Sequence, residues 1–255
     1  MNQMSKKRTT GLILCFLVMT ANLGSAVIRV QEDQADIFMK PGFETIVDDD
    51  RLWVLKPGQQ IQEKHISLIG AGPLGMTLKA VDKATALEYM AIKPGYRVEI
   101  EENRVWVLRP GQQKQEKHIT LVGAGPLGAS IKSPDRDTAL EYLAAKPGFA
   151  VEIEHGRLWV LKPGQQKQEK HVTLVGTGPL GLTIKTLDRN TALEYLSTKQ
   201  GFDVKIVDGC LWVFLAGTGG ELPEKHITHV GVGPNGMTVK SPDIETLSKY
   251  LAARV

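Results

Sequence analysis

Apolar and polar residues alternate through Arg97-Val98-Glu99-Ile100-Glu101, a period of two that predicts a half-buried strand. Glu102-Asn103 then predicts a tight turn, and Val105-Trp106-Val107-Leu108 a return strand. That return strand is apolar on both faces, so both faces are expected to be covered. The polar loop Pro110-Gly111-Gln112-Gln113-Lys114-Gln115 leads to a third strand, His118-Ile119-Thr120-Leu121-Val122. Gly123-Ala124-Gly125-Pro126-Leu127-Gly128 turns the chain into a short fourth strand, Ala129-Ser130-Ile131-Lys132. Next the period lengthens. Ala139, Leu140, Tyr142 and Leu143 fall on one helical stripe, with Ser133 or Asp135 placed to cap its start. Lys146-Pro147-Gly148 ends the helix, because Pro cannot continue it and Gly tolerates left-handed dihedrals.

This pattern recurs. Trp53, Trp106, Trp159 and Trp212 keep a constant spacing of 53 residues. Lys40-Pro41-Gly42-Phe43 returns as Lys93-Pro94-Gly95-Tyr96, Lys146-Pro147-Gly148-Phe149 and Lys199-Gln200-Gly201-Phe202. The copies run 40–92, 93–145, 146–198 and 199–255, and the fourth carries two extra residues within 216–223. A period of this length is the signature of a repeat architecture. The expected fold is α+β: four tandem repeats, each of about four short, mostly antiparallel strands and one short helix, packed on one another. A copy this small, without disulfide or metal, has a marginal core of its own. The free face of the tryptophan strand is therefore expected to pack on a neighbouring copy, as in solenoids. Residues 27–39 read as a degenerate strand-helix lead-in, so the structural unit is permuted relative to these boundaries.

Lys6, Lys7 and Arg8 precede an apolar run at 11–20, with small residues at Gly24 and Ala26. That order predicts a signal peptide over 1–26 and a periplasmic or secreted destination. The run is shorter than the roughly 18 to 20 residues that span a bilayer, so membrane contact is expected only through an uncleaved signal segment. The chain has 31 basic and 28 acidic residues, and its excess of +3 lies wholly in those three N-terminal cations. The remainder is neutral, which gives no reason to expect nucleic acid as a partner. Lys64, Lys117, Lys170 and Lys225 then read as a solvated face. With Cys15 removed, Cys210 is the remaining cysteine, so no internal disulfide is expected. It reads as a small buried hydrophobe.

Three motifs bear on chemistry. Gly70-Ala71-Gly72-Pro73-Leu74-Gly75 has the dinucleotide-binding form, but Met76-Thr77-Leu78-Lys79 behind it reads as a strand where a helix is needed. No free dinucleotide is expected. His65, His118, His171 and His226 each follow a glutamate by two residues, at Glu63, Glu116, Glu169 and Glu224. Imidazole and carboxylate can hold a divalent transition metal, yet one copy offers only a pair and a tight site needs three or four ligands. The plainer expectation is a strand-edge histidine making one hydrogen bond. Trp53, Trp106, Trp159 and Trp212 are candidate ligand-binding residues if exposed, since a row of indoles could stack on sugars or peptide side chains. Apolar neighbours favour core burial instead. No nucleophile elbow, zinc helix or other catalytic constellation occurs. The expectation is a non-enzymatic exported repeat protein, a multivalent binding or structural module of the cell envelope, with an envelope protein or glycan as partner. The rivals are a metal-binding protein built on the Glu-Lys-His edges and an envelope enzyme with its site between repeats, using odd residues such as His155, His229 or Cys210.

Overall fold

The computed structural model describes residues 38–219 and 221–253; the signal-like segment and most of the lead-in lie outside the described residues. Copy one holds β1 (Glu44–Asp48), β2 (Arg51–Leu55), β3 (Ile66–Leu68), β4 (Thr77–Ala80) and helix α1 (Lys83–Ala91). Copy two holds β5 (Arg97–Glu101), β6 (Arg104–Leu108), β7 (Ile119–Leu121), β8 (Ile131–Ser133) and α2 (Arg136–Ala144). Copy three holds β9 (Ala150–Glu154), β10 (Arg157–Leu161), β11 (Val172–Leu174), β12 (Ile184–Thr186) and α3 (Arg189–Ser197). Copy four holds β13 (Phe202–Val207), β14 (Cys210–Leu215), β15 (Ile227–His229), β16 (Val239–Ser241) and α4 (Ile244–Ala252). The chain is thus an α+β tandem array of four four-stranded sheets, each followed by a helix.

Each sheet has the order first-second-fourth-third, with antiparallel outer pairs and a parallel central pair. The hairpin turns are left-handed at both central residues, as at Asp49 (φ 45) and Asp50 (φ 56) or His155 (φ 50) and Gly156 (φ 70). That twist matches the strands they join, which is why Asp, Asn and Gly occupy them. Helix starts are capped alike: Asp82, Asp135, Asp188 and Asp243 each accept from the N–H of a threonine three residues on, at 2.7, 2.7, 2.8 and 2.7 Å. A nine-residue helix is marginal alone, so packing has to hold it.

That packing differs from the single stripe and free sheet face expected above. Tyr142 and Ala139 of α2 lie on their own sheet, beside Val105 and Val107, and Ala91 of α1 joins the same cluster. Leu193 of α3 likewise joins the core of copy four, with Leu211 and Val213. Helices of two successive copies therefore share one face of the second, third and fourth sheets, and α2 is buried on most sides. The seam is on the helix side, not the tryptophan side. It is closed by the repeated Tyr and Lys. Tyr142 Oη donates to Ala91 O (2.6 Å), Tyr195 to Ala144 O (2.8 Å) and Tyr250 to Ser197 O (2.9 Å). Lys93 Nζ donates to Tyr142 O (2.8 Å) and Leu143 O (3.1 Å), tying one copy's start to the next helix's C-terminus. A cation there complements the helix dipole as well as the open carbonyls.

The ends are finished differently. Tyr89 Oη donates to Phe38 O (2.8 Å), so the lead-in's last residues take the seat that Ala91 takes in the next copy. At the far end Ser248 replaces the buried leucine of the other helices (Leu87, Leu140, Leu193), and both it and Ala252 are exposed. The array also bends back. Leu74 of copy one packs on the core of copy four, and a Cβ at Gly201 would lie 2.7 Å from Leu74 Cδ2. Gly201 has φ 87, which favours glycine there whatever the leucine does. Cys210 is half-buried and stands where the other copies have Arg51, Arg104 and Arg157, not in a core position.

Candidate functional site

The four tryptophans are only 4–5% exposed, yet they lie outside the apolar clusters. Register explains this. In the parallel pair Leu52 faces Leu78 toward the helices, so Trp53 must face Lys79 on the opposite surface. The lysine lies over the indole, with Nζ 4.9 Å from the ring centre in copy one and 5.2, 5.2 and 5.3 Å in the others. A histidine covers the other part: His65, His118, His171 and His226 sit 4.6, 4.8, 5.0 and 4.8 Å from the indoles, ring centre to ring centre. In copies two and three a glutamate completes the cover. Trp106 Nε1 donates to Glu101 Oε2 (2.7 Å) and Trp159 Nε1 to Glu154 Oε2 (2.8 Å). The indole hydrogen bond and the Lys167 ammonium hold the Glu154 carboxyl below its ordinary range. The Lys114 ammonium does the same for Glu99. The indoles are thus covered by polar groups of their own copy, which leaves little ring surface for stacking.

The histidines meet the glutamates through the backbone. His65, His118, His171 and His226 each place Nδ1 on the carbonyl oxygen of Glu63, Glu116, Glu169 or Glu224, at 2.9, 2.9, 2.7 and 3.2 Å. A carbonyl only accepts, so Nδ1 is the donor in each of these bonds. The four glutamate residues are exposed and precede the strand, so their carboxylates do not share its face with the histidine. Among the described residues no group of three or more His, Cys, Asp or Glu is gathered as a metal site would require. Gly75 is followed by β4, so the glycine-rich segment is a strand-to-strand turn containing one 3-10 turn.

What the motifs did not flag is the residue just before that segment's first glycine. Ile69, Val122, Val175 and Val230 are 91%, 86%, 81% and 77% exposed. Each was read as strand or passed over, but β3, β7 and β11 end one residue earlier and a left-handed glycine follows. Leu127 and Leu180 of the same turns are also exposed, whereas Leu74 is spent on the contact with copy four and Asn235 replaces it there. Residues 66–78, 119–131, 172–184 and 227–239 contain no Asp, Glu, Lys or Arg. Each copy thus holds one β-branched side chain almost fully in water, inside an uncharged stretch, where a buried position would be the usual one. The sequence held one signal for it, the absence of charge over thirteen residues in every copy.

Comparison with family models, curated proteins and solved structures found no match.

Proposed function

We propose that this chain is a non-enzymatic exported repeat protein that acts as a multivalent binding module of the cell envelope. The observation that carries this reading is the exposure of Ile69, Val122, Val175 and Val230, one apolar residue at the same turn of each copy. One such side chain buried on a partner contributes about 2 kcal/mol, a weak contact. Four on one rigid array multiply, provided the partner spans them. The partner is an uncharged, apolar face of an envelope protein or glycan, since a charged group buried against these stretches would lose its hydration without a counter-charge. The export half of the reading comes from the N-terminal pattern, and N-terminal sequencing of the protein from a periplasmic or extracellular fraction tests it.

The binding half is tested by changing Val122, Val175 and Val230 to Asp one, two and three at a time, and measuring retention on purified envelope. Retention should fall with each added change by a constant factor. Unchanged retention of the triple variant overturns the reading. Metal binding has one observation in its favour: among the described residues, Nε2 of the four equivalent histidines makes no hydrogen bond, the bonded atom being Nδ1. Metal analysis with all four changed to Ala decides it, since unchanged content would remove the histidines from consideration.

A further inference from the structure

The copies touch in a closed cycle. Helices α1, α2 and α3 each lie beside the glycine-rich turn of the next copy, and α4 lies beside Pro73–Gly75 of the first. Leu74 joins that last pair. It packs on the core of its own copy and on the copy-four cluster that holds Phe202 and Tyr250. Its counterparts Leu127 and Leu180 are 43% and 65% exposed, and copy four has Asn235 there. Gly201 forms the other half of the contact. A Cβ at Gly201 would meet Leu74 Cδ2 at 2.7 Å, whereas one at Gly95 or Gly148 would meet no atom of the described residues within 4 Å.

The four junctions are not equal. Between successive copies a helix packs on the next sheet, through Ala91, Ala144 or Leu193. A tyrosine hydroxyl of the later copy then bonds back to the earlier helix. Where copy four meets copy one, these parts are engaged elsewhere. Tyr89 Oη donates to Phe38 O, and Ala252, the counterpart of Ala91 and Ala144, is exposed. The lead-in thus holds the seat on the first sheet that α4 would need. Instead, a leucine side chain is set against a glycine. Such packing is non-directional, and one side chain buries far less apolar area than a helix laid on a sheet. The cycle therefore has three strong joints and one weak one.

We propose that the array is a ring with a clasp: Leu74 against Gly201 holds it shut, and releasing the leucine opens that one junction while every copy stays folded. The consequence for binding rests on the multivalent reading above. The clasp fixes the turn that carries Ile69 relative to the turn that carries Val230, so opening it removes the constant spacing that a shared partner needs.

Two matched pairs of variants test this. Leu74→Asn installs the residue of copy four, and Leu127→Asn makes the same change on an exposed leucine. Gly201→Ala adds a Cβ against Leu74, and Gly148→Ala adds one in open space at a similar dihedral, φ 80 against 87. Left-handed alanine strain is common to the second pair, so their difference isolates the contact. Leu74→Asn and Gly201→Ala should enlarge the radius of gyration in small-angle scattering and keep the circular dichroism of the folded chain. Hydrogen exchange at the Phe202 amide should quicken about tenfold in both, as expected of a local opening. Leu127→Asn and Gly148→Ala should match the unchanged protein in radius and in exchange. An unchanged radius in both clasp variants, equal changes in the matched variants, or loss of the folded signal in both clasp variants would each overturn the clasp. Leu74→Asn leaves all four exposed side chains in place, yet its retention on purified envelope should fall. An enlarged radius with full retention overturns the link to binding. No retention by the unchanged protein overturns the binding reading alone, since the clasp is read from shape.

Discussion

The two faces of the central strand carry side chains of similar apolarity and are covered in opposite ways. In β10, Leu158 and Val160 face the helices and are fully buried. Trp159 on the other face is nearly as buried, but beneath His171, Lys185 and Glu154. Burial alone therefore does not separate a core position from a covered one. The covering groups do. Removing a leucine from the helix face opens a cavity that close-packed neighbours cannot fill. A change on the indole face exposes lysine stems and an imidazole that can turn to water.

The largest expected difference follows from that. Leu158→Ala should cost about 3 kcal/mol, within the usual range for a fully buried leucine. Trp159→Phe keeps an aromatic ring and loses chiefly the hydrogen bond to Glu154, so it should cost about 1 kcal/mol. Denaturant unfolding of the two variants checks this. A tryptophan change as costly as the leucine change would mean that the polar cover is as rigid as the core.

Titration sharpens the same contrast. Lys40, Lys93 and Lys146 lie at the helix-side seam with only carbonyls and tyrosine rings around their Nζ atoms. Burial lowers each to about 8, and neighbouring lysines of the row add to this for Lys93 and Lys146. Between about 8 and the ordinary lysine value of 10.5 the unfolded chain binds these protons and the folded one does not. Stability should therefore rise with pH across that window. Burial raises Tyr89, Tyr142 and Tyr195 well above 10. Their contribution is present below the unfolded value of 10 and is lost above it. The thermal midpoint should climb from about pH 8 and turn over above pH 10. The indole side offers the lowered Glu154 and Glu99, half-buried at the surface and screened by water, so acid through pH 4 should have little effect through them. A midpoint that falls steadily from pH 8 would show that the seam lysines keep their protons.

Local chemistry made much of this fold legible. The turn pairs Asp49-Asp50 and His155-Gly156, the Asp caps and the Lys-Pro-Gly stops each act within a few residues, so the order of strands and helices could be read off one copy. What failed were the pairings between distant residues. That Lys79 covers Trp53 depends on the parallel register of β2 with β4, which no local pattern states. The seam fell on the helix side because Ala91, Ala144 and Leu193 serve the next copy, and one stripe looks like another until the partner is known. Glu116 seemed to offer His118 a carboxylate and offers its carbonyl, since the residue precedes the strand. The bend that brings Leu74 onto Gly201 joins positions over a hundred residues apart.

The smallest effect on stability belongs to the exposed residues to which binding is assigned by proposal. Val122 is 86% exposed, so Val122→Ser removes little buried area. It should shift unfolding by no more than about 0.5 kcal/mol, as surface changes usually do. The turn does not depend on this side chain, because the left-handed residue is Gly123. If Val122→Ser instead destabilised the protein by a kilocalorie or more, the valine would be buried in solution by something other than its own copy. Repeating the measurement across protein concentration separates the two cases. A concentration-dependent midpoint would mean that copies of the chain already cover the row in one another, whereas a constant one leaves it open for a different partner.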